Sequence, residues 1–207
     1  MIALLLAAAA LTTGDRPPEL LGDKPQPEYL DWLKAETIRR EPASSAQPSC
    51  STAKAEPIGW RAGPMTQEDE TLAKGPSAYE KLRFSGCGRA SVQNLLVARL
   101  KDGGWRATSL APGDSRADVV LQTDVAKVWF PAVRNKAPQA CQGEEWMRWF
   151  RRGEARVEKE PDPETGEWVE VWPAALCGED RSIRLTFRPT KENGGAEFRM
   201  EPLAKPG

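Results

Sequence analysis

The chain has 207 residues, with 29 Lys and Arg against 30 Asp and Glu and a formal net charge of -1. This excludes a broadly basic nucleic-acid binder. Histidine is absent, which removes Ser-His-Asp and Cys-His catalysis, imidazole-ligated zinc and every imidazole base.

Ile2 to Leu11 form an unbroken apolar run, and Thr12, Thr13 and Gly14 follow before the first charge at Asp15. The run has the length of a signal-peptide h-region and falls short of the roughly 20 residues that a membrane-spanning helix needs. Residues 1–14 therefore read as a signal peptide, cut after Ala10 or near Gly14, although no Lys or Arg precedes the run. The alternative is a buried N-terminal helix. The mature protein is then periplasmic or secreted, with no transmembrane span after cleavage. No cysteine stands close behind the run to carry a lipid.

Residues 15–49 read as a helix and a linker. The helix spans Glu28 to Arg40 after Pro27, with Tyr29, Leu30, Trp32, Leu33 and Thr37 near one side. The linker is Pro42 to Pro48. A first β unit follows over residues 50–113, with strands at Tyr79–Phe84, Val92–Leu100 and Trp105–Leu110 and a hairpin turn at Asp102-Gly103-Gly104.

Residues 114–140 form a connector. There Val119-Val120-Leu121 is a short apolar run, and Asp124 is expected to cap a short helix from Val125 to Phe130 that Pro131 ends. The second β unit covers residues 141–207. Glu154–Glu160 and Trp168–Trp172 flank a turn from Pro161 to Gly166. Ile183, Leu185 and Phe187 alternate with polar residues, as Phe198 and Met200 do after the turn at Lys191 to Gly195.

The four cysteines, Cys50, Cys87, Cys141 and Cys177, lie 37, 54 and 36 residues apart. Without Cys-x-x-Cys knuckles a four-thiolate zinc site is disfavoured, and an even count in an exported chain points to two disulfides, for which three pairings exist. Cys50 to Cys141 is an offset of 91 and Cys87 to Cys177 an offset of 90. Each second cysteine is followed by glycine. Gly59-Trp60-Arg61-Ala62-Gly63 aligns with Trp149-Phe150-Arg151-Arg152-Gly153, Ser91-Val92 with Ser182-Ile183, and Gly103-Gly104 with Gly194-Gly195. A fixed period of this kind marks an internal duplication. The fold class is thus α+β, mainly antiparallel β. Two tandem disulfide-pinned units share one compact body, with an N-terminal helix and a short helical connector outside the repeats.

Three segments are candidates for chemistry. Asp114, Ser115, Arg116 and Asp118 form a polar segment that suits a cleft or an ion, and equally suits turns and caps. Asp162 to Glu167 resembles a calcium loop only in part and reads as a hairpin turn. Trp146, Arg148, Trp149, Arg151, Trp168 and Trp172 interleave aromatic and basic side chains, the chemistry of binding hot spots. Trp168 and Trp172 share one strand face and Val169 and Val171 the other, which leaves one face open for contact. The alternating charges from Glu154 to Glu170 fit a solvated hairpin. No metal or cofactor is implied.

The expectation is an exported, non-enzymatic binding or adaptor protein that contacts a protein or glycan of the cell envelope through the Trp/Arg surface. The alternative is an envelope hydrolase or protease inhibitor acting through Asp114–Asp118.

Overall fold

The computed structural model describes residues 11–40, 50–141, 143, 146, 150–190 and 195–203. They divide into two compact units, one formed by the residues up to 40 with 52–109, the other by Cys50, Ser51 and those from 110 onward. The architecture is α+β with antiparallel sheets, as the strand patterning indicates.

The first unit holds helices α1 (Pro18–Leu21) and α2 (Gln26–Arg40) and strands β1 (Lys54–Thr66), β2 (Leu72–Gly86), β3 (Arg89–Leu100) and β4 (Trp105–Ser109). The strands form a meander in the order β1-β2-β3-β4. Tyr29, Leu33 and Thr37 recur at four-residue spacing and are the buried residues of α2. Tyr29 and Leu33 pack with Leu20 against Ala55, Trp60, Ala78, Leu82, Leu95, Val97, Trp105 and Ala107. The helix therefore belongs to the unit's own core. β1 escapes sequence reading because Pro57, Gly59, Gly63 and Pro64 break its alternation; the strand absorbs them with register shifts between Pro57 and Gly59 and between Ala62 and Met65.

The second unit holds helix α3 (Val119–Asn135) and strands β5 (Phe150–Arg152), β6 (Arg156–Lys159), β7 (Trp168–Trp172), β8 (Ala174–Leu176), β9 (Glu179–Asp180), β10 (Ile183–Pro189) and β11 (Ala196–Pro202). They make a four-stranded sheet, β11-β10-β7-β6, and a three-stranded sheet, β5-β8-β9. Leu121, Val125, Trp129 and Val133 of α3 pack on Phe150, Trp168, Trp172, Leu176, Ile183, Leu185 and Phe187. The helix again lies inside its unit.

Helix α3 is longer than the sequence suggests. Its cap is Asp118, whose carboxylate accepts from the Leu121 amide at 2.8 Å. Asp124 instead pairs with Lys127 one turn on. The helix also runs through Pro131, which is exposed, and on a solvent-facing side the hydrogen bond the ring removes is tolerated.

Both units place Cys-Gly in a two-residue hairpin turn. Cys87 and Gly88 have φ of 50° and 74°, and Cys177 and Gly178 have φ of 53° and 79°, the paired left-handed geometry of a type I′ turn. The disulfides are Cys50–Cys87 and Cys141–Cys177, and no cysteine is free.

Sheet register repeats between the units. Glu80 of β2 stands opposite Leu95 of β3, which stands opposite Ser109 of β4. Glu170 of β7 stands opposite Leu185 of β10, which stands opposite Met200 of β11. These positions differ by the same 90 or 91 residues as the cysteines. The aromatic-Arg landmark does not keep this register. Trp60 is opposite Glu80, whereas Phe150 pairs with Leu176 beside the Cys177 turn and Val157 is opposite Glu170. The runs Pro42–Pro48 and Ile2–Ala10, and the turn residues Lys191–Gly194, lie outside the described residues.

Candidate functional site

Each unit buries one glutamate at the same place in its sheet. On β2 the core-facing series Ala78, Leu82 and Phe84 is interrupted by Glu80, and on β7 Glu170 stands between Trp168 and Trp172. Glu80 is 1% and Glu170 0% exposed, so each needs a full set of donors to stay in place.

Glu80 holds the segment before the helices of the first unit. Arg16 Nε donates to its Oε1 at 3.0 Å and Arg16 Nη2 to its Oε2 at 2.8 Å, a bidentate pair. The Tyr29 hydroxyl donates to Oε1 at 2.9 Å. Burial pushes the Tyr29 phenol well above the ordinary tyrosine range, with the Glu80 charge and hydrogen bond adding to it. Burial works against the charge of Arg16, yet the Glu80 hydrogen bond and charge outweigh it and raise its pKa. Upstream, Thr12 and Trp60 exchange both backbone bonds at 2.8 Å, and the Trp60 indole donates to the Gly14 carbonyl at 2.9 Å. Residues 12–14 thus bond to the edge of β1 at Trp60.

Glu170 holds the segment before α3 with different chemistry. The Ser115 hydroxyl donates at 2.8 Å and the Arg116 amide at 2.7 Å. The indoles of Trp168 and Trp172 donate at 2.9 and 2.7 Å. Here too the pre-helix segment joins the first strand region, since Ala155 N donates to Pro112 O and Asp114 N to Ala155 O.

These contacts place the sequence candidates. Ser115 and Asp118 serve as clasp and helix cap, and the Arg116 guanidinium pairs with Glu160. The carboxylate of Glu170 accepts four bonds, one of them from the Ser115 hydroxyl itself. Trp168 and Trp172 are 9% and 6% exposed, their rings in the core and their indoles on Glu170. Val169 and Val171 are buried as well, so neither face of β7 is open, because all five of its residues are covered. Glu170 likewise leaves the solvated-hairpin reading. Trp146 is half-buried, its ring centroid 6.2 Å from that of Phe130 and 5.6 Å from that of Phe150. Arg151 is half-buried on β5, and Arg148 and Trp149 lie outside the described residues. Asp162 forms the expected turn, its carboxylate accepting from the Glu164 and Thr165 amides.

Sequence reading misses the buried glutamates, although a signal exists: one Glu inside an apolar alternation, twice, 90 residues apart. Among the described residues no group of three or more His, Cys, Asp or Glu is placed to hold a metal ion, and no helix is long and apolar enough to cross a membrane. No protein-family model, curated protein or solved structure matches the chain.

Proposed function

We propose that the protein is an exported, periplasmic or secreted binding or adaptor module, built by internal duplication of a unit with one principal helix and an antiparallel meander. Two disulfides support export, since such bonds persist in oxidising compartments. The repeated register, the twin Cys-Gly turns and the twin buried glutamates support duplication. The contact surface is the aromatic ledge of Phe130 and Trp146. The observation that carries it is that these two rings pack on each other and stay half-buried at the margin of the second unit's core, while their neighbours Trp129 and Phe150 are covered. A large aromatic edge in that state offers apolar area at little entropic cost.

The test is a photo-crosslinking residue at position 146 in cells exporting the protein, with exposed Met65 as the control position. A protein or glycan adduct formed at 146 and not at 65, whose purified partner binds the Trp146→Ala variant at least about tenfold more weakly, is the expected result. Adducts common to both positions, or affinity unchanged in the folded variant, overturn the assignment of this surface.

A further inference from the structure

We propose that the free edge of β11 is a homodimer interface, in which two copies of the chain pair this strand antiparallel about Phe198. The other outer strands of the four-stranded sheets are blunted. β1 carries Pro57, Pro64 and two register shifts, and Thr12 occupies its edge at Trp60. β4 spans five residues, and Arg40 Nη2 sits on its Ala107 carbonyl at 2.6 Å. β6 spans four residues with a register shift between Val157 and Lys159. β11 runs for seven residues in unbroken register with β10, and among the described residues no strand pairs with its other side. A regular, unprotected edge of this kind is a template for another strand.

The hydrogen-bond phase selects the occupant. Thr190 N donates to Gly195 O at 2.9 Å and Leu203 N to Ser182 O at 3.0 Å. Residues 195 and 203 therefore bond towards β10, and by alternation so do Glu197, Arg199 and Glu201. The backbone groups of Ala196, Phe198 and Met200 point to the open side. Antiparallel pairing centred on Phe198 sets Ala196 opposite Met200 and uses all three outward amides. Centring on Met200 instead sets Phe198 opposite Pro202, which has no N–H to give. In the Phe198-centred register Glu197 of each copy faces Arg199 of the other at the closely spaced, non-bonded positions. The strand is thus complementary in charge to itself, twice. The rings and chains to be covered, Ala196, Phe198 and Met200, are the incompletely buried margin of the core.

Sedimentation equilibrium of the oxidised mature protein from micromolar to millimolar concentration tests the proposal. Wild type is expected to be a concentration-dependent dimer. Glu197→Arg and Arg199→Glu, each folded by circular dichroism, are each expected to weaken self-association by about tenfold or more, since both cross-pairs become like-charged. An equimolar mixture of the two variants is expected to recover the dimer as a heterodimer, because one chain then presents two arginines at these positions and the other presents two glutamates. A wild type that stays monomeric throughout, as it would if β11 receives a strand from a different protein, overturns the proposal. Single variants that dimerise like wild type, or a mixture that does not recover, also overturn it.

Discussion

The two buried carboxylates occupy equivalent positions with different partners, so one substitution made at both should destabilise for different reasons, a stranded charge at one and orphaned donors at the other. In Glu80→Gln the Arg16 guanidinium, whose side chain is 4% exposed, keeps its charge and loses its counter-charge. Removing one member of a buried ion pair costs about 3–5 kcal/mol, a large part of a total stability of about 5–15 kcal/mol. In Glu170→Gln no buried cation is left behind. The amide oxygen can take the place of Oε1, which accepts from Arg116 N and Trp168 Nε1. The amide NH2 then faces Ser115, which can rotate to accept, and the Trp172 indole, which is left unsatisfied. The second amide N–H faces that indole and is left unsatisfied with it, and each such orphaned buried donor costs about 1–3 kcal/mol.

Urea unfolding of the oxidised variants, followed by tryptophan fluorescence, reads both values. A double variant, Arg16→Met with Glu80→Gln, removes the stranded charge and is expected to cost about 2 kcal/mol less than the sum of its singles. A Glu80→Gln effect below about 1 kcal/mol, or additivity in the cycle, would refute the reasoning.

Three further outcomes are expected. Because Thr12 pairs with Trp60 and Gly14 accepts from its indole, the proposed export requires signal cleavage after Ala10, and N-terminal sequencing of protein recovered from the envelope or medium should begin at Leu11; a start beyond Thr12 counts against it. Tyr29 has a folded pKa above its unfolded value of 10.0, so its stabilisation is complete below pH 10 and is lost as pH rises beyond that towards the folded value; its phenolate absorbance should appear only with unfolding, and Tyr29→Phe should remove that component. Replacing Cys141 and Cys177 by serine opens a loop with a sequence separation of 36 and should lower stability by about 4 kcal/mol on the chain-entropy model, measured by the same urea titration.

Legibility in the sequence follows the strength of local pattern. Trp168–Trp172 and the alternation of Ile183, Leu185 and Phe187 are visible because apolar side chains recur at the strand period. α3 is foreshortened in the sequence because Pro131 is a stop signal in the abstract and a tolerated residue on an exposed helix face. Trp168 and Trp172 offer no local clue to their burial, since a tryptophan whose indole meets a buried carboxylate looks the same in sequence as one that faces solvent. Ser115, the other side chain on Glu170, lies 55 positions away in the sequence, and only the fold brings the two together.

The difference between the two clasps bears on what the buried glutamates do. On the duplication proposed above, a carboxylate selected for catalysis would be expected to keep its donors in both copies, because proton transfer depends on their identity. Here the first unit uses a guanidinium and a phenol, the second a serine, an amide and two indoles. What stays constant is geometric: an acceptor on the second strand of the meander, facing the core, that ties down the segment entering the helix. Both pre-helix segments also bond to the first strand region, at Trp60 and at Ala155. Each unit thereby fixes the chain at its entry through a buried acceptor and at its hairpin through a cystine. Between those two anchors the helix is held against its sheet, and the half-buried rings of Phe130 and Trp146 inherit their position from that frame.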